Sequence, residues 1–190
     1  MGSVMKKISI GTWAYSIGPY ANNPIPWEEI IVKLSELGFD GVELGGFGIH
    51  PNPYNHPTRE DRERCKQQVA DAGLEFSALA ADLWSQHLLD TDDNSAYLNE
   101  FRKNLDFCVD VGIPGIRVDS VQPPTIFEQV DPDVARERAV TAWKQCAREA
   151  ADKGVYVTWE FEPGFAFNKP SDILRIVDEV GDDIFGVQFD

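Results

Sequence analysis

The sequence predicts an α/β fold, a (β/α)8 TIM barrel present here as about six strands and five helices. Three observations predict it. An acid stands two residues before a glycine five times, at Glu36-Leu37-Gly38, Asp71-Ala72-Gly73, Asp110-Val111-Gly112, Asp152-Lys153-Gly154 and Glu179-Val180-Gly181. Each glycine closes an amphipathic segment, where a helix C-terminus favours a residue tolerant of positive φ. A short apolar run follows each, as a parallel sheet covered on both faces requires.

The first strand lies at Lys7-Ile8-Ser9-Ile10-Gly11 and the second at Gly41-Val42-Glu43-Leu44. The third to sixth are expected at 75–79, 115–118, 155–159 and 185–189. Between them, Pro26 opens a helix with the stripe Ile30, Ile31, Leu34 and Leu37. Thr58 is placed to cap the second helix, and Asn94 or Ser95 the third. Asp131 before Pro132 is an N-cap with proline in the first helical position.

An open doubly wound sheet would share this alternation. Thr12-Trp13-Ala14-Tyr15-Ser16 follows the first strand, however, where a dinucleotide fold would place a glycine-rich phosphate loop. The glycines recur at steps of 35, 39, 42 and 27 residues. Eight such units need about 280 residues, a normal barrel size. The chain of 190 residues therefore reads as five units and a sixth strand. Residues 1–4 have the form of an expression leader, and residues 5–190 read as one barrel domain lacking its last units, with sticky edges at its first and last strands.

The 32 acids against 17 bases leave a net charge of −15, which repels phosphate backbones and makes nucleic acid an unfavourable partner. No run of 18 apolar residues exists to span a membrane. Cys65, Cys108 and Cys146 lie on three different helical segments with no zinc or disulfide spacing, so unpaired thiols and a cytoplasmic setting are expected.

Active sites of barrels form at the C-terminal strand ends. There stand Glu43, Asp82, Asp119, Glu160, Glu162 and Asp190, with His50, His56 and His87 in the loops after the second and third strands. Trp13, Tyr15, Phe47, Trp84, Trp159, Phe165 and Phe167 line the same rim. Convergent carboxylates suit a divalent cation, and flat aromatic walls suit a sugar. Alternation puts Glu160 and Glu162 on one face of the fifth strand and Gln188 with Asp190 on one face of the sixth. Plainer roles compete: Arg117 and Asp119 can neutralise one another, Asp82 can cap its loop, and the histidines can be solvated loop residues.

The runs Ile8-Ser9-Ile10-Gly11-Thr12, Leu37-Gly38-Phe39-Asp40-Gly41-Val42-Glu43-Leu44, Trp159-Glu160-Phe161-Glu162-Pro163-Gly164 and Phe185-Gly186-Val187-Gln188-Phe189-Asp190 resemble the xylose-isomerase-like barrel superfamily. Its members include sugar and sugar-phosphate isomerases, epimerases, inosose dehydratases and the endonuclease IV group. The resemblance implies Glu160 and Asp190 as ligands of one divalent metal (Mn, Mg, Co or Zn) and Glu160 as the catalytic acid/base. Trp13, Trp84, His87, Asp119 and Glu162 are the substrate-binding candidates. Phe161 departs from the Asn or Pro that usually follows the first ligand. The family's strand-seven histidine and strand-eight glutamate have no counterpart in this chain. The implied reaction is proton transfer through an enediolate, performed by the full-length protein on a small-molecule sugar, with the 190-residue chain itself inactive. A homo-oligomer is compatible with this reading. The alternatives are an endonuclease-IV-like metal phosphodiesterase and a non-catalytic barrel fragment used for binding or assembly.

Overall fold

Helix boundaries follow local chemistry. In a computed structural model describing residues 6–120 and 122–189, five α-helices alternate with six strands. The strands are β1 (Ser9–Gly11), β2 (Gly41–Gly46), β3 (Glu75–Ala81), β4 (Gly115–Val118), β5 (Tyr156–Glu160) and β6 (Phe185–Gln188). The helices are α1 (Trp27–Glu36), α2 (Arg59–Asp71), α3 (Ser95–Val111), α4 (Pro132–Ala151) and α5 (Pro170–Val180). Thr58 and Asp61 close a reciprocal capping box on α2, and Asp131 accepts from the N–H groups of Asp133 and Val134 at the start of α4. At α3, the carboxylate that takes the Ser95 N–H belongs to Asp93, one residue ahead of the expected caps. All five helix-closing glycines have positive φ, from 60° at Gly181 to 83° at Gly112.

The chain divides into two compact units, Met1–Ala80 with Phe107–Pro114, and Ala81–Asp106 with Gly115–Asp190. In each, strand order follows chain order. In the first, β1 and β2 are parallel, with Gly11 opposite Glu43. Trp27 stacks on Phe76, and Arg62 lies over the Phe107 ring while pairing with Asp110.

The second unit is built on parallel β4, β5 and β6, with Arg117 opposite Thr158 and Glu160 opposite Gln188. Register partners in parallel strands point to the same side, so Arg117, Thr158, Glu160 and Gln188 share one face. The other face is apolar: Trp143 of α4 meets Trp159 at 5.0 Å and Phe185 at 6.0 Å between ring centroids. Gly115 admits the neighbouring Tyr156 ring, which would lie 2.2 Å from any Cβ placed there. Val187 and Phe189 at β6 stay 43% and 82% exposed, leaving apolar surface on that strand uncovered.

Candidate active site

Glu160 is the last residue of β5, and its Oε2 lies 2.7 Å from Arg117 Nη1 of β4. Both side chains are almost fully buried. The ion pair of Arg117 is thus with Glu160, while its charge also bears on Asp119. Alternate residues on one strand are separated by two residue rises, whereas a neighbouring strand is about 4.8 Å away, so the guanidinium reaches across. A buried pair of this kind is stable only with good geometry and further hydrogen bonds. Arg117 Nε has no partner among the described residues.

Asp119 follows β4 and is 2% exposed. Its Oδ2 accepts a 3.3 Å hydrogen bond from Trp84 Nε1, and its Oδ1 has no partner among the described residues. Its main-chain oxygen accepts from the Tyr97 hydroxyl at 3.1 Å, and that hydroxyl accepts from Trp143 Nε1 at 3.1 Å. Two bulky side chains of α3 and α4 therefore hold the backbone at this carboxylate. Burial pushes the Asp119 carboxyl up to about 6. The Arg117 charge and the Trp84 hydrogen bond act downward, while Glu162 and Asp82 add to the rise. A carboxyl in that range can hold and release a proton near neutral pH.

Gln122 joins the loops above these strand ends. Its Oε1 accepts from the N–H groups of Leu88 at 3.1 Å and Leu89 at 2.7 Å, and its main-chain oxygen accepts from Ala166 at 2.8 Å. Those segments follow β3 and β5 respectively. Asp82, Trp84, His87 and Glu162 are exposed. His87 Nδ1 lies 3.0 Å from Asp90 Oδ2.

Trp13 belongs to the first unit. Its indole covers Gly11, whose ideal Cβ would stand 2.1 Å from Nε1, and Nε1 donates to Glu43 Oε2 at 2.9 Å. Only glycine leaves room for that ring. His50 is buried rather than solvated: Nε2 donates to the Ile25 carbonyl at 3.1 Å, and burial lowers its pKa. It supports the loop after β2.

The structure therefore brings together Asp119, Trp84 and Glu160, with the charges of Asp82 and Glu162 reaching Asp119, all within the second unit. Asp190, the other expected metal ligand, lies outside the described residues. So do the expected leader, residues 1–4, and the first residue of the expected domain, Met5. Among the described residues, no three His, Cys, Asp or Glu side chains gather closely enough to hold an ion. Tyr97, Trp143 and Gln122 were not legible as site-supporting residues. The first two sit on apolar helix stripes and read as core, and Gln122 stands in a proline-rich loop with no periodic signal.

A family model described as xylose isomerase-like TIM barrel matches residues 31–190. The chain belongs to this family. Solved structures agree on the fold. D-psicose 3-epimerase with D-tagatose from Clostridium cellulolyticum H10 superposes with TM-score 0.74 at 18% identity, over 96% of this chain and 62% of that one. A xylose isomerase-like TIM barrel protein from Mycobacterium smegmatis in complex with magnesium gives 0.67 at 17%, over 97% and 64%. An AP endonuclease, family 2, from Brucella melitensis gives 0.70 at 19%, over 97% and 68%. At such identities the likeness is one of fold. The chain spans 62% of the length of a Planctomyces limnophilus xylose isomerase domain protein and 26% of a longer fusion protein that carries such a barrel. Among curated proteins, none matches it. Among the described residues no helix is long and apolar enough to cross a membrane.

Proposed function

We propose that this family member is a sugar isomerase or epimerase that moves a proton at a carbon next to a carbonyl. The observation that carries the reading is the buried Arg117–Glu160 pair beside Asp119, at the C-terminal ends of β4 and β5 where barrel enzymes place their chemistry. Arg117 is the positioning residue: it fixes the Glu160 carboxylate, which takes the proton from the carbon next to the carbonyl and delivers it to the former carbonyl carbon. Asp119, whose carboxyl sits near 6, gives a proton to the carbonyl oxygen and takes one from the neighbouring hydroxyl as the new carbonyl forms. Trp84 offers a flat, half-exposed wall to a sugar ring.

The described residues do not by themselves fit a divalent ion, because no three ligating groups gather and the Glu160 carboxylate already meets a guanidinium. The chemistry available to them is acid–base chemistry. Hydrolysis of a phosphodiester in nucleic acid is the weaker reading, since 32 acids against 17 bases disfavour a polyanionic substrate.

The test is carbon–hydrogen exchange. The gene product as made in the cell is incubated in deuterated water with ketose and aldose panels, with manganese, magnesium or cobalt added, and the loss of the proton next to the carbonyl is followed by NMR. Exchange is expected with at least one sugar and should fall about 10²–10⁴-fold in Glu160→Gln. Exchange on no sugar, or exchange that survives the substitution, would overturn the reading.

A further inference from the structure

Resting on the reading above, we propose that Asp119 Oδ1 and Arg117 Nε, with the Trp84 ring beside them, form a subsite for a neutral hydroxyl, so that the ligand held here is an unphosphorylated sugar or cyclic polyol. Arg117 lies on the site face of β4, and Asp119 follows two residues on, just past the strand end. They are 4% and 2% exposed, yet one carries an unpartnered donor and the other an unpartnered acceptor among the described residues. Buried polar atoms are rarely left without partners, and those that are ask for an explanation. A hydroxyl both gives and accepts a hydrogen bond, so one such group can meet this pair.

The electrostatics select against an anion. The Arg117 guanidinium is engaged by Glu160 at 2.7 Å, and the charges of Asp82 and Glu162 also bear on Asp119. A phosphate would have to compete with a buried carboxylate for the guanidinium and would face three further acids. A neutral hydroxyl meets neither obstacle. Trp84, 49% exposed and fixed by its N–H on Asp119 Oδ2, presents its apolar ring face to the same ligand.

Trp84 is its own reporter, because its indole N–H is bonded to the carboxylate in question. The 190-residue chain, labelled with ¹⁵N, is titrated with D-fructose and myo-inositol and then with a monophosphate ester of each. The Trp84 indole signal is assigned by its loss in Trp84→Phe, and circular dichroism checks that each variant folds. At least one neutral ligand should shift the signal saturably. Its phosphate ester should bind at least about tenfold more weakly, and Asp119→Asn should weaken the neutral ligand at least about tenfold. The comparison of neutral and phosphorylated ligands needs only the unmodified chain, so it stands even if a variant fails to fold. An ester that binds as tightly as its parent, an unchanged affinity in folded Asp119→Asn, or no shift with any neutral ligand would overturn the proposal; in the last case ordered water meets the two atoms. Carbon–hydrogen exchange without ligand-induced shifts sinks this inference alone, and shifts without exchange sink the isomerase reading alone.

Discussion

Arg117 of β4 and Glu160 of β5 hold each other at 2.7 Å, with side chains only 4% and 5% exposed. Parallel register sets this contact, because Arg117 stands opposite Thr158 and Glu160 lies two residues further along the same face. Removing one partner leaves a buried charge uncompensated. Arg117→Met should cost about 3–5 kcal/mol in urea unfolding. The double variant with Glu160→Gln should lose less than the sum of the two single losses. Additive losses would show that the two side chains do not interact.

The pH dependence of stability should carry the signature of Asp119. Its carboxyl sits near 6 in the folded chain against an ordinary 3.8, so the folded state binds the extra proton between those values. Stability therefore falls as pH rises from about 4 to about 6, and the loss is complete above that, on the order of 3 kcal/mol. Asp119→Asn should abolish this part of the slope and be the more stable protein at pH 7. Chemical unfolding of both proteins from pH 4 to 8 in chelator measures the difference. Equal slopes would place the carboxyl in contact with water.

Cys65, Cys108 and Cys146 are buried and form no disulfide. Burial pushes the Cys65 thiol up to about 12 and raises the other two as well, so each stays protonated at neutral pH. A chromogenic thiol reagent should react with none of them in the native protein and with all three in denaturant. Rapid native reaction at any one would show an open path to its sulfur.

Much of the architecture was legible because it rests on local chemistry. The acid-x-glycine punctuation marks helix ends through the φ angles only glycine adopts freely, and those glycines do adopt them. The capping box at Thr58 and the proline after Asp131 are equally local. Strand ends came out within a few residues, β1 being shorter and β2 longer than the apolar runs suggested.

Alternation alone put Glu160 on the site face of its strand, and the order of units put Asp82, Asp119 and Glu162 at C-terminal strand ends. Register between strands, by contrast, depends on how whole units pack, and no local pattern encodes it. Only the tertiary structure decided that Arg117 pairs with Glu160 and not with Asp119. The same holds for Tyr97, whose hydroxyl meets the Asp119 backbone from 22 residues away in sequence, and for Trp143, whose indole N–H meets that hydroxyl from 46 residues away. Their periodicity reports a buried apolar body. Which polar group waits for the tip is a matter of three-dimensional proximity, and it is this proximity that holds a carboxylate with one unpaired oxygen at the end of β4.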